Sequence, residues 1–101
     1  MRSAARMLKN GLISLDVDDC RAFVGRRGVS LTATEFNLLA FFLRNEGRTL
    51  SRSRLLRQVW GETYQGSERT LDTHVYRLRQ KLRRAGKSIR TIRGRGYRLD
   101  T

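Results

Sequence analysis

The chain has 101 residues, which suits one domain built around one hydrophobic core. It contains no run of about 18 apolar residues, so no segment is predicted to span a bilayer, and the basic start MRSAARMLKN lacks the apolar middle of a signal peptide. The formal net charge of +13 indicates a polyanionic partner, and we expect a cytoplasmic protein that has no contact with a membrane.

Cys20 and His74 are the sole cysteine and the sole histidine of the sequence. A single cysteine forms no internal disulfide, and one histidine without nearby cysteines offers no ligand set for zinc. We therefore expect no metal site and no cofactor. Cys20 is predicted to be a small, buried residue of a strand.

Residues 12–31 contain three short apolar runs separated by turn residues. The runs are LISLD, CRAFV and GVSL, and the turns are residues 17–19 and 25–28. This spacing predicts a small antiparallel sheet. Residues 1–11 are predicted to be a linker remnant or tail, and the folded domain is predicted to cover residues 12–101.

The pattern changes to helical spacing at residue 32. Thr32 and Glu35 match a capping box, in which each side chain accepts a hydrogen bond from the other residue's backbone N–H. Apolar residues then recur three and four positions apart until Gly47, which is predicted to end the first helix. Ser51 is predicted to cap a second helix that ends at Gly61, and a polar loop follows.

A third helix is predicted from Ser67 to about Ala85, with one apolar stripe against the core. The stripe consists of Leu71, Val75, Leu78 and Leu82. The residues that point away from it are basic or hydrogen-bonding, namely Arg69, Thr73, Tyr76, Arg77, Gln80 and Arg84. Residues 67–98 hold 11 of the 22 Lys and Arg residues but only two of the nine acids, Glu68 and Asp72.

Residues 89–93 and 97–99 are predicted to be the strands of a hairpin joined at Gly94-Arg95-Gly96. A phosphate-binding loop would need a following helix or a Lys-Ser/Thr pair, and GRGYRL has neither. No Ser, His and carboxylate set or Cys and His set is placed for catalysis, so we do not expect an enzyme. The predicted fold class is α+β, with a small sheet, three helices and a C-terminal hairpin.

A helix with a basic front beside an arginine-tipped hairpin suits duplex DNA. The major groove admits a helix, and arginine forms two parallel hydrogen bonds to guanine there, while a narrow minor groove attracts arginine. One alternative is an RNA-binding module, although 8% aromatic residues leave few side chains to stack on bases. The other is a protein-binding winged helix, for which a cationic helix front is poorly suited.

Four segments resemble the winged helix-turn-helix effector domain of bacterial OmpR/PhoB-type response regulators, and the resemblance begins at about residue 12. They are LTATEFNLL (31–39), LLRQVWG (55–61), RTLDTHVYRLRQKLR (69–83) and IRTIRGRGYRL (89–99). The resemblance implies a winged-helix DNA-binding domain in residues 12–101 that regulates transcription by sequence-specific binding to double-stranded DNA.

The resemblance also implies partners within a two-component phosphorelay. Members of the family are driven by a phosphorylated receiver domain, usually bind tandem half-sites as homodimers, and in several cases touch RNA polymerase. This sequence shows no receiver pattern. We therefore expect the chain to be the C-terminal half of a longer regulator, with a naturally receiver-free regulator as the alternative.

The resemblance implies roles for individual residues. Arg77 matches the principal base-contacting arginine, Arg93 rather than Arg95 matches the arginine that enters the minor groove, and Thr73 and Asp72 match positions near base edges. Phosphate-contacting positions match Trp60, Arg69, Thr70, His74, Tyr76, Arg79, Thr91 and Tyr97. The loop that touches RNA polymerase matches Glu62, Thr63, Tyr64, Gln65 and Gly66.

Several of these positions have a purely structural alternative. Core packing is the alternative for Trp60, packing under the wing for Tyr97, a surface hydrogen bond for His74, pairing with an acid for Arg79, and orientation of an arginine for Asp72. The sequence departs from the family pattern at Tyr76, where members often carry a basic or small polar residue, and at Thr73, where they often carry an aliphatic or amide residue. Both departures bear on which DNA sequence is bound.

Overall fold

The computed structural model describes residues 6–100, which open with a four-stranded antiparallel sheet. In β2, apolar Ile13 and Leu15 alternate with Ser14 and Asp16, so that the two apolar side chains enter the core. The strands lie side by side in chain order: β1 Met7–Asn10, β2 Ile13–Asp16, β3 Arg21–Val24 and β4 Arg27–Val29.

Strand β1 lies within residues 1–11, which were predicted to be linker or tail; residues 1–5 of that segment are outside the described residues. Met7 pairs with Asp16 and Asn10 with Ile13. The Asn10 amide also donates to Glu46 and, over 3.2 Å, to the carbonyl oxygen of Asp100. A boundary at residue 12 would therefore divide a hairpin, because β1 pairs with β2 across the two-residue turn Gly11-Leu12.

Cys20 is exposed in the turn between β2 and β3 and has a φ of +53°. The prediction that it is a buried strand residue was wrong. The turn after Asp16 takes four residues, so strand β3 begins at Arg21, one position later than the apolar run suggested.

Helix α1 spans Ala33–Arg44 and has the predicted capping box. Thr32 Oγ1 accepts from the Glu35 N–H over 3.1 Å, and Glu35 Oε1 accepts from the Thr32 N–H over 2.8 Å. The helix ends three residues before Gly47, which was predicted to terminate it. Gly47 instead has a φ of +82° and donates its N–H to the Leu99 carbonyl oxygen over 2.8 Å.

Helix α2 spans Arg52–Trp60 and begins and ends as predicted. Ser51 Oγ accepts from the Arg54 N–H over 3.1 Å, and Gly61, with a φ of +116°, donates to the Arg57 carbonyl oxygen over 3.0 Å. Immediately before α2, the short strand β5 Leu50–Ser51 pairs with the C-terminal hairpin, which was not predicted.

Helix α3 spans Arg69–Leu82 and buries its apolar stripe as predicted. It is shorter than predicted at both ends. The Ser67 hydroxyl lies before the helix and accepts from the Arg69 N–H over 3.0 Å. Arg83 takes a φ of +56°, and a 3₁₀ helix follows at Arg83–Ser88. Gly86 in that turn is buried against α3, where a Cβ would stand 2.6 Å from the Arg79 carbonyl oxygen.

The wing is the hairpin of β6 Ile89–Ile92 and β7 Gly96–Leu99, and with β5 it forms a sheet of order β5-β7-β6. Ile92 pairs with Gly96, so the connecting turn is residues 93–95. A Cβ at Gly96 would overlap the Leu50 carbonyl oxygen, so this glycine lets β5 lie against β7.

Side chains from the helices and from both sheets share one hydrophobic core. Across residues 6–100, none of the helices has the length and apolar character needed to cross a membrane. The predicted order of small sheet, three helices and hairpin is confirmed, with β1 and β5 added.

Candidate nucleic-acid interface

Helix α3 presents a basic face to solvent because its apolar stripe holds the opposite face against the core. Thr73 is half-buried, and Arg77 forms no ion pair with any residue in the range 6–100. Tyr76 is 63% exposed. The exposed members of this face are Arg69, Tyr76, Arg77, Gln80 and Arg84.

The wing turn adds two exposed arginines, Arg93 and Arg95. Between them, Gly94 has a φ of +75°, and no atom lies within 4 Å of the position of its missing Cβ. Backbone conformation alone therefore shapes the tip. Neither arginine forms an ion pair within the part of the chain that the structure describes.

Asp72 joins α2, α3 and the wing. Its Oδ1 accepts from Arg52 Nε over 3.0 Å and from the Tyr97 hydroxyl over 2.5 Å. Tyr97 is 4% exposed, and burial together with the hydrogen bond to Asp72 raises the pKa of its phenol. The hydroxyl is therefore a donor to the carboxylate. The structure places Asp72 beside an arginine and Tyr97 under the wing, as their structural alternatives describe.

Arg79 ties α3 to the wing. Its Nε and Nη2 donate to the Ile89 carbonyl oxygen over 2.9 and 2.6 Å, and Nη2 also donates to Thr91 Oγ1 over 2.9 Å. The guanidinium carbon lies 5.5 Å from the centroid of the Tyr97 ring. No acid among residues 6–100 pairs with Arg79, so the alternative of an acidic partner is not what the structure shows.

His74 and Trp60 meet on the other flank of α3. His74 Nδ1 donates to the Thr70 carbonyl oxygen over 2.7 Å, which leaves Nε2 for another partner. The two rings are edge to face with centroids 5.0 Å apart. Trp60 is half-buried and packs against the core and against Tyr64. Trp60 therefore has a packing role, whether or not its indole N–H meets a partner.

The loop between α2 and α3 borders an open surface pocket of about 380 Å³. The Tyr64 hydroxyl donates to the Ser67 carbonyl oxygen over 3.1 Å, and this hydrogen bond links the middle of the loop to its end. All five residues predicted as an RNA polymerase contact line this pocket: Glu62, Thr63, Tyr64, Gln65 and Gly66.

Two ion pairs that anchor α3 were not predicted. The Arg52–Asp72 pair joins residues 20 positions apart, so no local sequence pattern predicts it. Lys81 Nζ lies 2.5 Å from Oε1 of Glu35, which is 2% exposed. Burial alone would raise the pKa of Glu35, but hydrogen bonds from Lys81 and from the Thr32 N–H hold it below its ordinary value. An acid on the otherwise apolar face of α1 was the available signal.

A helix with a solvent-facing basic front, packed beside an arginine-tipped wing, defines the winged helix-turn-helix class of DNA-binding domains. Residues 25–99 match the family model described as "Transcriptional regulatory protein, C terminal". The chain belongs to this family, which comprises transcription regulators and not enzymes.

Relatives of this chain are sensory transduction and transcriptional regulatory proteins. It is 44% identical over 97 residues to the phosphate regulon transcriptional regulatory protein PhoB of Rhizobium meliloti, covering 94% of this chain and 43% of that protein. It is 38% identical over 98 residues to the sensory transduction protein RegX3 of Mycobacterium leprae, covering 94% and 50%. The chain thus spans about half the length of the curated relatives it matches.

Solved structures of DNA-binding domains from response regulators have the same fold as this chain. The RstA DNA-binding domain of Klebsiella pneumoniae, crystallised with the RstA box, superposes with a TM-score of 0.83 at 28% identity, covering 94% of this chain and 97% of that one. The CpxR DNA-binding domain of Escherichia coli gives a TM-score of 0.82 at 30% identity, with coverages of 96% and 98%. The predicted OmpR/PhoB-type effector domain, its fold class and its DNA-binding function are confirmed.

Proposed function

We propose that α3 lies in the DNA major groove and that the wing turn enters the adjacent minor groove. The observation that carries the proposal is that the cations of α2, α3 and the wing fall into two groups, those bonded to the protein and those left exposed. Arg52, Arg79 and Lys81 are engaged by protein groups, whereas Arg77 and Arg93 are exposed and lack an ionic partner among residues 6–100. Exposed, unpaired arginines on one face are the electrostatic footprint of a nucleic-acid site.

Base recognition is assigned to the front of α3 and to the wing tip. Arg77 would donate two hydrogen bonds to a guanine, and the Thr73 methyl would pack beside a base edge. Arg93 would enter the minor groove, where a narrow groove concentrates negative potential. The Asp72 carboxylate accepts hydrogen bonds from Arg52 and from the Tyr97 hydroxyl, which supports a positioning role rather than base contact.

Phosphate contacts are assigned to the flanks. Arg69 is exposed at the start of α3, and His74 Nε2 is not used by the bond to Thr70. Thr91 accepts from Arg79, so its own hydroxyl proton remains available to a phosphate. The hydroxyl of Thr70 and the indole N–H of Trp60 complete the proposed set. In this scheme Arg79 of α3 and Tyr97 of β7 hold the wing against α3.

In the cell, this domain would act within a longer cytoplasmic regulator. The lengths of the curated relatives support a receiver domain elsewhere in the protein. Phosphorylation of that domain would favour a homodimer on tandem half-sites. The pocket beside the loop 62–66 supports that loop as the contact with RNA polymerase.

Selection from a random duplex pool, followed by titration of the selected duplex, tests the function. We expect one preferred half-site, and the logarithm of the affinity should fall with the logarithm of salt concentration by about 0.9 per neutralised phosphate. A hairpin RNA of equal length should bind more weakly. Equal affinity for the selected duplex, random duplex and hairpin RNA would contradict sequence-specific DNA binding.

Replacing Arg93 with alanine tests the wing. Affinity should fall most on sites with A·T-rich flanks, because their narrow minor grooves attract arginine most strongly. Arg95→Ala, on the same turn, is the matched control and should show less dependence on the flanks. An Arg93→Ala loss that is identical across flanking sequences would rule out minor-groove contact by this residue.

A further inference from the structure

Tyr76 is an unusual side chain for the surface that faces DNA. Among residues 6–100, two large apolar side chains are more than 60% exposed: Leu12 in the first hairpin, and Tyr76. Tyr76 is the one on α3. Its hydroxyl forms no hydrogen bond with residues 6–100, so neither end of the side chain is satisfied within the described fold.

The position of Tyr76 is set by its helix neighbours. Asp72 precedes it by four residues and Arg79 follows it by three, so all three side chains share the flank of α3 that faces the wing. Asp72 is bonded to β7 and Arg79 to β6, which fixes the rotation of α3 against the wing. Tyr76 therefore lies between Arg77 and the wing, on the front of the helix.

The major-groove edges of the base pairs present hydrogen-bonding atoms and a single kind of apolar group, the 5-methyl of thymine. A phosphate is an anion, and a neutral phenol can donate only one hydrogen bond to it through its hydroxyl. Burial of the carbon face of an aromatic ring against an apolar group is favourable. On the base edges of the major groove, the apolar group that distinguishes one base from the others is the thymine methyl.

We propose that Tyr76 contacts the 5-methyl group of a thymine in the major groove, and so determines the base at one position of the site. The inference rests on the proposed function, since it requires α3 to lie in that groove. It gives a role to the position where this sequence carries neither a basic nor a small polar residue.

The test uses the duplex selected by the wild-type domain, with each thymine replaced in turn by deoxyuridine, which removes the methyl group alone. At one position the wild type should lose about fourfold in Kd, the equivalent of one buried methyl group. Tyr76→Ala should bind thymine and uracil equally at that position, and Tyr76→Phe should keep the discrimination. Gln80→Ala, exposed on the same face, is the control: whatever its overall affinity, it should keep the wild-type ratio of thymine to uracil binding at that position.

Identical uracil profiles for the wild type and Tyr76→Ala would overturn the inference while leaving DNA binding intact. Tyr76→Phe losing as much affinity as Tyr76→Ala, without any uracil effect, would also overturn it and assign the hydroxyl to a phosphate. A wild-type domain that selected no duplex would overturn the proposed function together with this inference.

Discussion

Arg77 and Arg79 lie two residues apart on α3, but Arg77 is exposed to solvent whereas Arg79 is hydrogen-bonded to the wing. We call Arg77, Tyr76 and Arg93 the front of the helix–wing unit, because they are exposed. We call the packed junction of Arg52, Asp72, Arg79, Tyr97 and Gly96 its root, because its members are bonded to or packed against other elements of the protein.

Helix geometry explains the difference. Successive residues are about 100° apart around the axis, so Arg77 and Arg79 point about 160° apart. One meets solvent and the other meets the β6 carbonyl oxygen of Ile89. Identical residue types within one basic segment therefore divide into a DNA-facing set and a set that holds the wing in place. Disrupting the root should affect stability first, and disrupting the front should affect binding alone.

The largest expected effect is at the root. Gly96→Ala would drive a Cβ into the Leu50 carbonyl oxygen and also strain a φ of +146°. The free energy of unfolding should fall by about 3 kcal/mol or more. Gly94→Ala at the tip is the matched control: its φ of +75° costs about 1–2 kcal/mol, but the added methyl meets open space. Urea denaturation measures both, and equal losses would contradict the packed root.

The next largest effect on stability is expected at Lys81, which flanks the basic face of α3 but forms an ion pair with Glu35. Lys81→Met would leave the buried Glu35 carboxylate without its cation, and the free energy of unfolding at neutral pH should fall by about 1–3 kcal/mol. Lys87→Met, at an exposed position, should change stability by about 0.5 kcal/mol or less.

The pH dependence gives this prediction a sign. Because the pKa of Glu35 is lowered in the folded state, its contribution is present above the ordinary value of 4.5 and is lost as pH falls through the folded pKa. In Lys81→Met, burial would raise the pKa of Glu35. The stability difference between wild type and variant should thus be largest near neutral pH and shrink in acid. A difference that grew on acidification would count against the ion pair.

A smaller effect is expected at the hydrogen bond within the root. Tyr97→Phe keeps the buried ring but removes one donor from Asp72, which still accepts from Arg52. Unfolding should become easier by about 1 kcal/mol. Tyr76→Phe removes an exposed hydroxyl and should leave the thermal midpoint unchanged. If the two variants lost equal stability, the distinction between root and front would fail.

Local spacing predicted most of the helical architecture. The Thr32–Glu35 capping box and the Ser51 cap each depend on residues within one turn, and the apolar stripe of α3 lies within about three turns. Strand β5 was not predicted because its partner lies far away in the chain. Strand β1 was not predicted although its partner is local, since it pairs with β2 across the two-residue turn Gly11-Leu12 that follows Asn10. β5 is two residues long and pairs with β7, more than forty positions away.

The outline of the candidate site could also be predicted, because it depends on local spacing. Residue type and helical period identified a basic front and an arginine-tipped wing. Helical period placed Arg77 on that front and Arg79 off it, but the β6 groups that Arg79 contacts, the Ile89 carbonyl oxygen and Thr91 Oγ1, required the tertiary structure. The Asp72 contacts with Arg52 and Tyr97 span 20 and 25 residues and likewise required the tertiary structure.

The most direct test of the division between front and root compares Arg77→Ala with Arg79→Ala, measuring unfolding free energy and affinity for the selected and random duplexes. Arg77→Ala should weaken binding to the selected duplex by about 1–3 kcal/mol, with unfolding and random-duplex affinity unchanged. Arg79→Ala should lower the unfolding free energy. If Arg77→Ala instead weakened selected and random duplexes equally, Arg77 would be a phosphate contact, and the front would not carry base recognition through it.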